Sequence, residues 1–107
     1  MATRTFKRLA GPAQVSNSAS TKYTVPGATT AVVRHIHVQN PYGSPVTFTM
    51  SIGANAAGTR IFDALSIPAN SERSFWGPYT LVAAEIIQAL AGTTLVLTLT
   101  IDGEEWS

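Results

Sequence analysis

Two histidines on one predicted strand are the side chains best suited to chemistry. His35 and His37 stand two residues apart in a β-branched run, and residues at i and i+2 on a strand project from the same face, about 7 Å apart. One pair does not complete a metal site. Three copies around a threefold axis would present an octahedral set of nitrogens suited to iron or nickel. Alternatively, the pair caps a half-buried sheet face and hydrogen-bonds to backbone or to neighbouring threonines. We predict no metal site within one chain and keep the shared site as a second hypothesis.

The remaining polar residues do not form a catalytic pattern. A nucleophile needs a neighbouring histidine that a carboxylate orients, but the acidic residues are scattered along the chain. They are Asp63, Glu72, Glu85, Asp102, Glu104 and Glu105. The glycines stand singly, without the spacing of a phosphate-binding loop. We therefore expect no catalytic residue, no cofactor or cofactor-binding residue, and no enzymatic activity.

The composition limits the partners. Seven basic and six acidic residues give a net charge of +1, which is far from the basic character of a general nucleic-acid binder. No apolar run approaches the roughly 18 residues of a membrane span, so we expect neither nucleic acid nor membrane as a partner. Only 12% of residues are charged, against about 25% in an ordinary domain, which indicates surface hidden in an assembly. The absence of cysteine excludes a disulfide framework and a cysteine-ligated zinc site.

Turn signals at short, regular intervals divide the chain into strands. Gly11-Pro12 and Gly77-Pro78 are two such signals. The predicted strands span 4–9, 21–25, 30–39, 45–52, 59–67, 72–76, 84–90 and 94–101. This pattern is typical of a sandwich or barrel, and about eight strands form two packed antiparallel sheets, most simply a jelly roll. Residues 82–91 also have the composition of a short helix, although Gly77 and Gly92 leave little room for one.

Alternating residue types predict which faces are buried. Leu95, Leu97, Leu99 and Ile101 alternate with smaller or polar residues in the last predicted strand. In strand 45–52 apolar residues alternate with hydroxyl residues. One face of each strand is therefore predicted to be core.

The two ends of the chain carry opposite charges and supply candidates for contacts between subunits. We predict one all-β domain over 1–107 with short arms at 1–8 and 102–107. Arms of adjacent subunits would meet head to tail, with complementary charges fixing their register. Alternatively, the ends are solvated and contribute little to stability. The charged interface candidates are Arg4, Lys7, Arg8, Glu104 and Glu105.

Aromatic side chains are the other interface candidates. Trp76 and Tyr79 flank the Gly77-Pro78 pair, and Trp76 either covers its own core or offers a platform for a ligand. Trp106 lies beyond the last predicted strand, with little local core, so it is a candidate for docking on another subunit.

Several segments together resemble a known group of proteins. They are the Tyr-Thr-Val-Pro strand end, the Thr-Thr-Ala-Val-Val strand that closes at Asn40, the Val-Thr-Phe-Thr-Met strand, the Ile67-Pro68-Ala69-Asn70 turn and the Ile87-Gln88-Ala89-Leu90 element. Over about residues 20–101 the chain is similar to small structural proteins of tailed bacteriophages. These are found among minor tail proteins and among head-associated or fibre-associated accessory proteins.

The resemblance implies a virion component, assembled in the cytoplasm of the host bacterium, that acts by packing and symmetry. Its partners would be copies of itself, as a trimer or hexamer, and other virion structural proteins. The role we favour is that of a minor tail protein. A capsid decoration protein that stabilises the head is the first alternative. The second is a carbohydrate- or receptor-binding module of a fibre, in which loops near Tyr42, Trp76 and Tyr79 stack on a host cell-surface glycan.

Overall fold

Runs of β-branched and aromatic residues form eight strands in the computed structural model, which describes residues 3–107. The strands are β1 (Arg4–Gln14), β2 (Ser20–Thr24), β3 (Thr30–Asn40), β4 (Val46–Ile52), β5 (Arg60–Ile67), β6 (Ser71–Leu81), β7 (Ile86–Ala91) and β8 (Thr98–Trp106). Such residues favour strands because their side chains pack well on a pleated surface. Within the described range, no helix has the length and apolarity needed to cross a membrane.

The strands form two antiparallel four-stranded sheets. One has the order β1-β8-β3-β6 and the other β2-β7-β4-β5. Each sheet thus pairs strands from distant parts of the chain, which is the arrangement of a jelly roll. The predicted fold class, an antiparallel two-sheet β-sandwich of jelly-roll type, is confirmed. The segment 82–91, for which a helix was the alternative, forms a turn followed by strand β7.

The core lies between the sheets, where alternating apolar side chains meet. Phe48 and Met50 of β4 are buried, as are Leu97 and Ile101 near the end of the chain, so both predicted alternations are confirmed over most of their length. Leu95 is the exception. It is exposed and has a φ of 56°, which takes it out of extended conformation and into the turn before β8.

Both Gly-Pro pairs that the sequence predicts as turns are instead β-bulges inside edge strands. β1 continues through Gly11-Pro12 and β6 continues through Gly77-Pro78, and at each pair the register with the partner strand shifts. A Cβ on either glycine would collide with a carbonyl oxygen of the partner strand, that of Leu99 or that of Val33. Proline is tolerated because β1 and β6 are the two edges of their sheet.

The described residues of the two predicted arms, 3–8 and 102–107, are paired strand ends. The register runs without a break from Arg4 opposite Trp106 to Arg8 opposite Asp102, and backbone hydrogen bonds carry the ladder on to Ser107. Residues 1 and 2 of the predicted N-terminal arm lie outside the described range. The two ends of the chain therefore hold each other within one sheet.

Asn40 ties two loops together at one end of the sandwich. It is fully buried, and its Nδ2 donates to the carbonyls of Ser44, Ile67 and Pro68 at 3.0 to 3.1 Å. Its Oδ1 accepts a hydrogen bond from the backbone N–H of Tyr42 at 3.0 Å. The Asn40 side chain thus supplies hydrogen-bond partners that the backbone at the ends of β3 and β5 would otherwise lack.

The outer face of the β2-β7-β4-β5 sheet is rich in hydroxyl and amide groups that bond to one another. Gln88 Nε2 donates to Thr21 Oγ1 at 3.2 Å, and Gln88 Oε1 accepts from the backbone of Asn55 at 2.9 Å. Thr49 Oγ1 accepts from the backbone N–H of Ala64 at 3.0 Å. Gln88, Thr21 and Thr49 thus have hydrogen-bond partners within the chain.

Candidate interaction face

The β1-β8-β3-β6 sheet carries three exposed aromatic rings on one side. Phe6, Trp76 and Trp106 are 68%, 72% and 37% exposed. In the strand pairing, each ring lies opposite a residue whose side chain points away from the core. All three rings therefore project from the outer surface of the sheet. This surface is called here the aromatic face. Aromatic residues and arginine are enriched in protein interfaces, which makes this face the candidate functional surface.

The guanidinium group of Arg4 contacts two of the three rings. Its guanidinium carbon lies 4.6 Å from the centroid of the Phe6 ring and 5.4 Å from that of Trp106, within the range of cation–π attraction. The pairing of β1 with β8 brings these side chains together, because Arg4 stands opposite Trp106. Trp106 therefore has a partner in its own chain, contrary to the expectation of little local contact. Its docking on another subunit stays a prediction.

Glu104 is a buried carboxylate beneath the same cluster, with no exposed surface. Arg34 donates to its Oε1 from Nε at 2.9 Å and from Nη2 at 2.5 Å. Arg4 Nε lies 3.4 Å from Oε2. Arg34 is the residue at which the register of β3 against β8 shifts, and this irregularity lets its side chain reach Glu104. One carboxylate thus lies between arginines from the two strands that flank β8, hydrogen-bonded to Arg34 and ion-paired with Arg4.

Glu105 points to the opposite side of the sheet. It accepts a hydrogen bond from the Tyr23 hydroxyl, and its Oε1 lies 3.4 Å from Lys7 Nζ. Burial, the hydrogen bond and the nearby negative charge raise the pKa of Tyr23 well above its usual value. Since Lys7 and Glu105 pair within the chain, as do Arg4 and Glu104, the charges predicted to join neighbouring arms are already used inside one subunit.

Trp76 stacks on His35 across strands β6 and β3. The ring centroids are 4.2 Å apart and the planes are inclined by 24°. His35 Nδ1 lies 3.8 Å from Asp102 Oδ2, and its Nε2 is buried without a hydrogen-bond partner in the described part of the chain. Of the two interpretations of Trp76, the lid over its own core is wrong, because the indole stands on the outer surface.

The two histidines project from the same face, as the sequence predicts, with ring centroids 6.3 Å apart. His37 Nε2 lies 3.0 Å from Glu72 Oε2, so the partner of this imidazole is a carboxylate rather than backbone or threonine. Within residues 3–107, no group of three or more metal-ligating side chains is arranged to hold an ion. A metal site shared between copies stays a hypothesis.

The remaining candidates divide between the two sides of the sheet. Arg8 lies opposite Asp102 and donates to the Gly11 carbonyl at 3.5 Å, whereas Tyr79 packs against the core. Sequence reasoning missed Phe6, although its position two residues from both Arg4 and Arg8 places it on their face. It also missed Arg34, because a bulge in β3 has no sequence signal of its own.

Comparison with known proteins reveals similarity in fold alone. No protein-family model matches the chain, and no curated protein matches it. A chain in the structure of Bacillus endospore appendages, which form disulfide-linked pili, has a TM-score of 0.59 and 14% identity over 100% of this chain and 90% of that chain. A chain in the structure of infectious bursal disease virus, strain Gx, has a TM-score of 0.59 and 7% identity over 98% of this chain and 32% of that chain.

A Tobacco streak virus coat protein has a TM-score of 0.48 and 12% identity over 97% of this chain and 85% of that chain. The matches to the spore appendage chain and to the bursal disease virus chain, together with the strand order, identify the chain as an eight-stranded jelly-roll β-sandwich.

Proposed function

We propose that this chain is a structural subunit of a tailed-phage virion, specifically a minor tail protein, that acts by packing and has no enzymatic activity. Its partners are copies of itself and other virion proteins. The observation that carries the proposal is the aromatic face, where Phe6, Trp76 and Trp106 stand exposed on one sheet. Buried aromatic and arginine side chains supply much of the binding energy of protein interfaces.

The contrast between the two outer faces indicates which one docks. Thr49 and Gln88 on the opposite sheet already have hydrogen-bond partners within the chain. Burying them in an interface would therefore add little binding free energy. The aromatic face leaves apolar rings in water, and removing them from water is favourable. The aromatic face is therefore the side of the sandwich that gains most from a partner.

The folds found by comparison support a role in assembly. One similar chain comes from spore appendages that form pili, and the other comes from a virus structure. The appendage pili are linked by disulfides, whereas this chain has no cysteine. Disulfides therefore cannot join its copies, and side-chain contacts such as those of the aromatic face must do so instead. The position in the tail rests on the resemblance of the sequence to small phage tail proteins.

Solution mass and one substitution test the aromatic face. The purified chain should be a trimer or hexamer by light scattering. Trp76→Ala should weaken association about thirtyfold, because a hot-spot residue contributes about 2 kcal/mol. Tyr42→Ala is the matched control, since Tyr42 is also exposed but lies in the loop between β3 and β4. If Trp76→Ala and Tyr42→Ala weaken association equally, or if neither weakens it, the aromatic face is not the surface through which copies associate.

Copy number tests the place in the virion. Quantitative mass spectrometry of purified particles should find on the order of tens of copies or fewer, as in rings and small clusters. On the order of hundreds of copies would instead indicate a capsid decoration protein on the symmetry axes of the shell. Absence from particles would refute the virion role altogether.

Trp76 also favours a second candidate function, a carbohydrate-binding module of a phage fibre. Its indole is the most exposed of the large apolar side chains in the described range, and the His37–Glu72 pair on the same face offers hydrogen-bonding groups. Sugar rings stack on such indoles because one side of the ring is apolar. A monomeric chain that binds host cell-wall glycans through Trp76 and is absent from particles would replace the first proposal.

A further inference from the structure

We infer that copies of this chain exchange the first half of β1, so that residues 3–9 of one copy pair with β8 of the next. The inference rests on the proposed self-assembly and specifies a contact that links the copies. The segment adds little to the core, a glycine bulge lies behind it, and it covers a strand edge of β8.

The exchanging segment contributes little to the core. Residues 3–8 are all exposed, and Leu9 is the buried residue of this half of the strand. β1 is an edge strand and pairs only with β8 in its sheet. Opening the segment therefore removes one leucine from the core and leaves the rest of the sandwich in place.

Gly11 separates this half from the rest of β1. The register with β8 shifts twice, once before Ala10 and again between Ala10 and Ala13, and Gly11 has a φ of 76°, which glycine adopts without strain. Beyond the bulge the chain is anchored, since Val15 is fully buried and donates a backbone hydrogen bond to Leu97 at 2.9 Å. The chain thus has a natural point at which the first half can turn away.

The side of β8 that β1 covers is specific for this segment. Glu104 is buried and bound by Arg4 of β1 as well as by Arg34, and Glu105 lies beside Lys7. When β1 leaves, Glu104 loses one of its two cations and the backbone of β8 becomes an open edge. The same segment from another copy restores every one of these contacts, which is why exchange of an identical element costs little.

Engineered disulfides distinguish exchange from other contacts, because the chain has no cysteine of its own. Arg8 and Asp102 stand opposite each other across β1 and β8. Arg8→Cys combined with Asp102→Cys is oxidised in the oligomeric fraction and then run on a denaturing gel without reductant. Exchange predicts covalent dimers and longer chains. Asp102→Cys alone and Arg8→Cys alone should each give none, whereas dimers from either single variant would indicate contact between aromatic faces.

The matched control joins two strands that cannot exchange in this way. His37 and Thr100 are paired across β3 and β8, so His37→Cys with Thr100→Cys should run as a monomer in every fraction. If the Arg8–Asp102 pair also runs as a monomer in the oligomeric fraction, exchange is refuted and the proposed self-assembly stands. A chain that stays monomeric and is absent from particles overturns both. If the Arg8–Asp102 variant fails to fold, Thr3→Cys with Ser107→Cys gives the same test, because these residues are opposed across the same two strand ends and lie outside the aromatic face.

Discussion

Removing Arg34 should destabilise the fold more than removing the charge of its partner Glu104. The reason is that the two members of the pair differ in burial. Glu104 has no exposed side-chain surface, whereas the side chains of Arg34 and Arg4 are 51% and 47% exposed. After Arg34→Ala a buried carboxylate keeps only Arg4, at 3.4 Å from its Oε2. After Glu104→Gln both guanidinium groups can turn to water.

The magnitudes follow from this asymmetry. Breaking a buried ion pair from one side costs about 3–5 kcal/mol because a charge is left uncompensated. Arg4 remains near Glu104, so we expect about 3 kcal/mol for Arg34→Ala, at the lower end of that range. Glu104→Gln keeps the size of the side chain and an acceptor, and we expect about 1–2 kcal/mol for the loss of charge-assisted hydrogen bonds. Both values are measurable against a total stability of about 5–15 kcal/mol.

Urea unfolding, followed by tryptophan fluorescence, gives these free energies at matched protein concentrations, since self-association adds to apparent stability. The double variant should be close to Glu104→Gln alone, because without the buried charge Arg34 has little to neutralise. Arg73→Ala, at an exposed position of β6, is the control and should change little. If Arg34→Ala lowers the free energy of unfolding by no more than Glu104→Gln does, Arg34 is not needed to stabilise the buried carboxylate and the reasoning is wrong.

Three further outcomes are expected from the fold. Asn40→Ala should lower the free energy of unfolding by about 2–4 kcal/mol, because it leaves one buried and two part-buried carbonyls without this donor, and calorimetry would measure the loss. Leu97→Ala should cost about 2–5 kcal/mol in a urea titration, since Leu97 lies fully in the core; a change below about 0.5 kcal/mol would contradict the register. Because the pKa of Tyr23 is raised in the folded protein, Tyr23 loses its proton first in the unfolded chain as pH rises past about 10. The free energy of unfolding should therefore fall above that pH, and Tyr23→Phe should reduce the fall.

The sequence predicted the fold because the signals for it are local and repeated. The strict alternation that places Phe48 and Leu97 in the core is the direct consequence of side chains pointing to opposite faces of a strand. The spacing of turns then limits the possible sheets. Leu95 departs from the pattern because a turn residue can continue an alternation by coincidence.

The Gly-Pro pairs misled the prediction for a physical reason. Glycine and proline end a central strand, but at a sheet edge the same pair makes a bulge and the strand continues. Whether a strand lies at an edge depends on topology, which no short segment contains. For this reason β1 and β6 were predicted too short. Residues 102–107 were predicted to be an arm because their pairing with the first strand has no local signal.

The candidate face was predicted only in part because it depends on contacts between distant residues. Trp76 and Trp106 were recognisable from their type and position. The stacking of Arg4 on Phe6 and Trp106 and the burial of Glu104 follow from the pairing of the first strand with the last. Nothing local in the sequence states that these ends meet.

The two Gly-Pro bulges have a consequence for how large an assembly can become. They interrupt both edges of the β1-β8-β3-β6 sheet, at Gly11-Pro12 in β1 and at Gly77-Pro78 in β6. Proline offers no N–H to a neighbouring strand, and a bulge bends the strand away from a straight template. A foreign strand therefore cannot add along the whole of either edge of this sheet, and open-ended, amyloid-like growth through it is blocked. Any assembly of copies therefore depends on contacts other than the addition of strands to these two edges.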